Sequence, residues 1–280
     1  MIQLSLIGIG TGNPDHVTLA AVRALNEADL ILLPRKGEAK SDLVDLRRLL
    51  CRNLLDDPSR TRVVEFDLPR RDARADYLGA VDDWHGAIAR VWAGLMETHL
   101  PQGGRVGMLI WGDPSLYDSS LRIAGRLRSC MKSCMKSTAG RAVEVDLKVE
   151  IVPGITSLQV LTAEHRIPLN ALAEPVLITT GRRLRERGWP GDAASVAVML
   201  DSGGAFEALP PEGLYIWWGA YLGMDKQSLL DGWLADVAPS ILERRSALRE
   251  QHGWIMDAYL LARAPLLPSQ SNSPIDTAGE

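Results

Sequence analysis

Cysteine is scarce: three in 280 residues, Cys51, Cys130 and Cys134. So few exclude the disulfide framework of a small secreted domain. They also exclude a thiolate metal centre, because no other cysteine or histidine stands near the Cys130–Cys134 pair at ligand spacing. No uninterrupted apolar run approaches the roughly 18 residues of a membrane helix, so no span is expected. A net formal charge of −4 leaves no broad basic face for nucleic acid. A local basic site for an acidic small molecule remains compatible with it. The chain opens as a strand, without the basic start and cleavage site of a secretory signal, so a cytoplasmic location is expected.

What is present is a regular alternation of apolar runs and helix-period segments over a length that suits two domains. Strand-like runs lie at Ile2–Ile7, Asp29–Leu33 (stopped by Pro34), Val63–Phe66 and Val106–Trp111. Val145, Leu147, Val149 and Ile151 alternate with charged residues, the pattern of a strand near a sheet edge. Helices are expected from Thr18 to Ala28, around Tyr77 to Leu95, from Ser115 to Lys136 and from Thr156 to Glu164. This order predicts an α/β domain over residues 1–172 with a mostly parallel sheet. A second α/β domain is expected over 173–264, with strands at Pro175–Thr180, Ser195–Leu200, Leu214–Trp218 and Trp254–Leu261 and a helix from Gln227 to Leu248. Residues 265–280 are polar and are expected to lack fixed structure. The tandem Ser129-Cys130-Met131-Lys132 and Ser133-Cys134-Met135-Lys136 reads as one added helical turn.

Three strand ends carry turn formers where open α/β sheets place ligands. They are Gly8-Ile9-Gly10-Thr11-Gly12-Asn13-Pro14, Trp111-Gly112-Asp113-Pro114-Ser115-Leu116-Tyr117 and Pro153-Gly154-Ile155-Thr156-Ser157. The first is a poor dinucleotide fingerprint. Its spacing is G-x-G-x-G, Pro14 interrupts the approach to the helix, and no acidic residue follows Leu33-Pro34 to hold a ribose.

Taken together and in this order, the three segments resemble the tetrapyrrole methylase family. The first is similar to its G-x-G-x-G-[DN]-P loop and the second to its G-G-D-P loop, with Trp111 in place of the first glycine. The third is similar to its P-G-[IV]-[TS]-[SA] segment. The resemblance implies two α/β domains with S-adenosylmethionine in the crevice between them. It implies cofactor contacts from Pro14, Trp111, Gly112, Asp113, Leu116, Thr156 and Ser157, and from Met199, Leu200, Gly219 and Ala220. No metal is implied, and a homodimer is. Leu32-Leu33-Pro34-Arg35-Lys36-Gly37, Val198-Met199-Leu200-Asp201 and Trp218-Gly219-Ala220-Tyr221 look most like the corrin branch that methylates C-1 of precorrin-5 and releases acetate.

Such a substrate is a flat polycarboxylate, for which Arg35, Lys36, Arg182 and Arg183 are the candidate cations. Methyl transfer from an activated sulfonium needs alignment more than acid–base machinery. Asp113 and Tyr117 are the candidates for a proton-handling role, and Asp113 has the alternative of bonding its own turn. Trp217, Trp218, Tyr215 and Tyr221 suit core packing, with stacking against a flat macrocycle as the alternative. The other readings are a different precorrin or uroporphyrinogen methyltransferase, or a non-catalytic nucleotide- or tetrapyrrole-binding module.

Overall fold

The computed structural model describes residues 1–35, 41–69, 77–134 and 146–267. It divides into two compact units, Met1–Thr156 and Ser157–Glu280. The expected boundary near Leu172 lies later than this division, for a physical reason. The short helix after the third loop packs on the second sheet: Leu161 lies at Gly219, and His165 Nε2 is 3.1 Å from the Trp218 carbonyl.

The first unit is built on five strands: β1 (Ile2–Gly8), β2 (Leu30–Arg35), β3 (Arg62–Asp67), β4 (Gly104–Ile110) and β5 (Leu147–Val152). They lie in the order β3-β2-β4-β1-β5, every pairing parallel. The alternating strand β5 is at the edge, as its pattern requires. Helices α1 (Leu19–Glu27) and α2 (Ser41–Leu54) cover one face, over Ile7, Ile9, Leu25, Ile31 and Leu33. Helices α3 (Tyr77–His99) and α4 (Ser120–Cys134) cover the other, over Leu4, Leu6, Trp92, Val106 and Met108. Ile88, Trp92 and Met96 form the buried stripe of α3, and Trp84, Val91 and Leu95, whose spacing marks the helix in the sequence, are half-buried beside it. Thr18 caps α1, its hydroxyl accepting from Ala21 N at 3.1 Å.

Two expectations need correcting here. Pro34 does not stop β2, which runs on to Arg35 beside β3. On the β4 side the ladder has already ended at Leu32–Met108, so no N–H is demanded of Pro34 there. Nor does α4 begin at Ser115. Asp118 Oδ1 accepts from Ser120 N at 2.6 Å and sets the helix start, while Tyr117 takes a left-handed φ of 51°. Cys130 is half-buried against the core; the duplication runs past residue 134, so its end lies outside the described residues. The same holds for the tail from residue 268.

The second unit contains α5 (Ser157–His165), β6 (Val176–Thr180), α6 (Gly181–Arg187), β7 (Ser195–Met199), β8 (Tyr215–Ala220), β9 (Ser228–Trp233), α7 (Leu234–His252) and β10 (Asp257–Ala262). Its sheet order is β6-β7-β10-β8-β9, with only β6 and β7 parallel. Strand β9 is a correction, since Gln227–Leu248 was expected to be one helix. Residues 228–233 instead pair with β8, and the helix starts only at Leu234. Trp218, Tyr221 and Trp217 are buried in this core, as packing predicts.

Candidate functional site

All three turn segments end strands of the first unit, and β1 is the common neighbour of β4 and β5. Parallel strands deliver their carboxyl ends to one edge, so the turns are brought together there. Gly112 N donates to Gly10 O at 2.8 Å, and Gly10 N to Gly112 O at 3.4 Å. Asp113 Oδ2 accepts from Gly154 N at 2.9 Å, which ties the second loop to the third. Glycine is demanded by closeness as much as by dihedral angle. A Cβ on Gly154 would fall 2.1 Å from Gly112 O, and one on Gly8 would fall 2.6 Å from Gly154 N.

Gly10 and Gly112 add φ values of 74° and 64°, which L side chains rarely adopt. Beside Gly112 the space is open: a Cβ there would meet nothing nearer than Thr156 Cα at 3.8 Å. A ligand can therefore approach the main chain at this point, which fits a small molecule held by backbone groups. Thr156 is buried at the same place, Leu116 is half-buried, and Pro14 and Tyr117 are exposed. Trp111, bulky where a glycine was expected, packs its side chain against the α1/α2 core cluster.

Asp113 is a clamp. Its Oδ1 accepts from Ser115 N at 2.7 Å and from the Ser115 hydroxyl, and its Oδ2 from Gly154. Burial pushes its pKa up, but the Ser115 hydroxyl, the Gly154 N–H and the Ser115 N–H outweigh it and hold the carboxyl below its usual range. A depressed folded pKa gives stability that is present above the unfolded value of about 3.9 and is lost as pH falls through the folded one. Asp113→Asn should therefore melt below wild type at pH 7, and the gap should narrow as the pH drops below about 4. A gap of constant size in melting scans across that range would contradict the clamp.

In the second unit, Val198 of β7 and Trp218 of β8 both pair with Tyr259 of β10. Met199–Leu200 and Gly219–Ala220 are therefore level at one end of the sheet. Thr180 pairs with Met199, so Arg182 and Arg183 start α6 at that same end, both exposed. Leu200 is 65 % exposed with a left-handed φ of 53°. Behind it, Asp201 is buried: Oδ2 accepts from the Tyr259 hydroxyl at 2.9 Å and Oδ1 from Arg185 Nη2 at 3.2 Å. Arg35 ends β2 and makes a two-pronged pair with Asp67 at 2.9 and 3.0 Å, so part of its charge is already answered. Lys36 lies outside the described residues.

Sequence reasoning passed over Arg47. It reaches from α2 to the end of β4, donating from Nε to the Leu109 carbonyl at 3.1 Å. Two residues beyond the last β2–β4 pair, Pro34 has no N–H to give, and Arg47 occupies that place. The one available signal was that proline. Among the described residues there is no cluster of metal-ligating side chains and no helix long and apolar enough to cross a membrane.

The family model of tetrapyrrole (corrin/porphyrin) methylases matches residues 3–238. A Sinorhizobium sp. protein named precorrin-6A synthase [deacetylating] is 43 % identical over 264 residues, 94 % of this chain and 96 % of the relative. A solved structure described as a putative cobalamin synthesis related protein (CobF) from Corynebacterium diphtheriae superposes with a TM-score of 0.78 at 36 % identity, covering 94 % of this chain and 99 % of that one. The uroporphyrin-III C-methyl transferase of Thermus thermophilus, solved with S-adenyl homocysteine, gives a TM-score of 0.57 at 18 % identity, covering 93 % and 97 %; it shares the fold.

Proposed function

Because this chain belongs to the tetrapyrrole (corrin/porphyrin) methylase family, we propose that it is an S-adenosylmethionine-dependent C-methyltransferase of cobalamin biosynthesis. The reaction we assign is methylation of precorrin-5 at C-1 with release of acetate, giving precorrin-6A. The observation that carries this is the end-to-end match to the Sinorhizobium relative named for that deacetylating activity. The meeting of the three loops supports it, since backbone left bare by glycines suits a nucleoside-bearing donor.

When bound, the donor supplies a methyl group already activated as a sulfonium. The chain has then to hold and align. Gly112 and Thr156 offer main chain and a small buried hydroxyl beside one another, and Asp113 fixes the loop that carries them. With its carboxylate committed to three donors, Asp113 is a positioning residue. Tyr117, exposed on the same loop, is left as the proton-handling candidate. The reading extends to a cytoplasmic homodimer.

Arg35 at the end of β2 and Arg182 and Arg183 at the start of α6 are read as cations for the carboxylates of the ring. Arg35→Ala and Arg182→Ala should each weaken precorrin binding by roughly tenfold, about the value of one charge-assisted hydrogen bond, with binding of S-adenosylhomocysteine unchanged. Equal precorrin affinity in both variants would remove them from the site. The reaction itself is tested by incubating the chain with precorrin-5 and methyl-labelled donor. One acetate per methyl transferred is the expected result, and methylated ring without acetate would move the assignment to a sibling activity.

A further inference from the structure

Beside the loop platform the first unit holds a partly open cavity of about 250 Å³, lined by α2, α3 and the start of α4. A dry cavity of about 150 Å³ is enough for a benzene ring, so this one takes more than a few waters. Its wall is mostly apolar, with Phe66, Trp84, Trp92 and Trp111, and it carries two ionisable groups, Arg47 and Asp118.

The hydrogen-bond donors of that wall are not used up. Arg47 spends Nε on the Leu109 carbonyl and Nη1 on the Leu43 carbonyl, each at 3.1 Å. Its Nη2 has no hydrogen bond among the described residues. Trp92 is 3 % exposed, and its indole N–H has no partner there either. Asp118 is answered locally: Oδ1 accepts from Ser120 N at the first turn of α4, where the helix dipole favours a negative charge. Burial lowers the Arg47 pKa to about 10, against the pull of Asp118, so the half-buried guanidinium stays charged. A half-buried cation and a buried indole N–H without a partner, both on an apolar wall, are the complement of a short aliphatic anion.

We propose that this cavity binds a small aliphatic carboxylate, its charge on Arg47 Nη2 and its carbon end against the tryptophans. The inference rests on the deacetylating reading, which offers two sources of that chemistry: the acetate set free, or a carboxylate arm of the ring. Trp111 joins the cavity to the cofactor loop, since it belongs to both.

The test is saturation-transfer NMR on the acetate methyl group with the full chain, using sodium acetate, with acetamide and sodium chloride as controls. A saturable acetate signal that acetamide does not reproduce is expected. Arg47→Met should weaken it at least tenfold, and Trp92→Phe should weaken it less, with S-adenosylhomocysteine binding kept in both. If Arg47→Met does not fold, the wild-type isotherm and Trp92→Phe still decide. No saturable signal in wild type, or unchanged affinity in both variants, overturns the proposal. Displacement of acetate by the ring product assigns the cavity to an arm of the ring, and retention assigns it to the leaving acetate. No acetate binding to the wild-type chain, with acetate still formed in turnover, counts against the cavity alone; methyl transfer without acetate counts against the reading beneath it.

Discussion

Replacing Gly154 by alanine should weaken binding of S-adenosylhomocysteine about a hundredfold. The new Cβ would sit 2.1 Å from the Gly112 carbonyl oxygen and 2.8 Å from Gly8 Cα, and both obstacles are main chain. A flexible side chain could swing aside, but these atoms belong to β1 and to the turn that Gly10 and Gly112 hold shut. Overpacking of this kind costs about 3 kcal/mol or more, which as lost affinity is about a hundredfold. Either the third loop moves off the platform or all three shift. Gly94→Ala is the matching control: in α3 nothing lies within 4 Å of the added methyl, and a gain of about 0.5–1 kcal/mol is expected. Titration calorimetry with S-adenosylhomocysteine and a melting scan on both variants check the pair. Wild-type affinity in Gly154→Ala would mean that loop closeness is not what shapes the site.

The largest loss of stability should follow Asp257→Ala in the second unit. Asp257 Oδ2 accepts from Arg245 Nε and from Trp218 Nε1, each at 2.9 Å, and the side chains of the pair are 2 % and 9 % exposed. Arg245 Nη2 also donates to the Asp201 carbonyl at 2.9 Å, so the guanidinium joins α7 to the turn after β7. Removing the carboxylate strands a buried cation and a buried indole N–H together. Breaking such a pair from one side costs about 3–5 kcal/mol, or roughly 10 °C in Tm for a chain of this size. Taking out both partners at once is expected to cost less, because no charge is then left alone. Arg245→Met with Asp257→Leu should therefore melt above Asp257→Ala. Calorimetric scans of the three proteins decide it, and a double variant less stable than the single one would contradict the account.

Local patterns carried much of the fold. Strands β1, β2 and β4 stand out as short apolar runs, and the edge position of β5 follows from its alternating charges. The three loops were legible for the same reason, since turn residues after buried strands mark the ligand edge of a parallel sheet. Strand β9 was not, because Leu229 and Leu230 side by side carry no period of two and run straight into the leucines of α7. The late start of α4 depended on Asp118 capturing a backbone N–H, a competition that helical spacing does not reveal. Close approach was equally hidden. Gly8 and Gly154 read as turn residues, while their real constraint is each other's backbone. Arg47 was invisible for a related reason: its role depends on a carbonyl that a proline in a neighbouring strand leaves unmatched.

The central claim is that the loops after β1, β4 and β5 form one surface for the methyl donor. A crystal structure of the chain with S-adenosylhomocysteine tests it most directly. Density is expected against Gly112, with Thr156 and the Gly10 loop in contact and the Asp113–Gly154 bond intact. Ligand bound elsewhere, or bound with that bond broken, would contradict it.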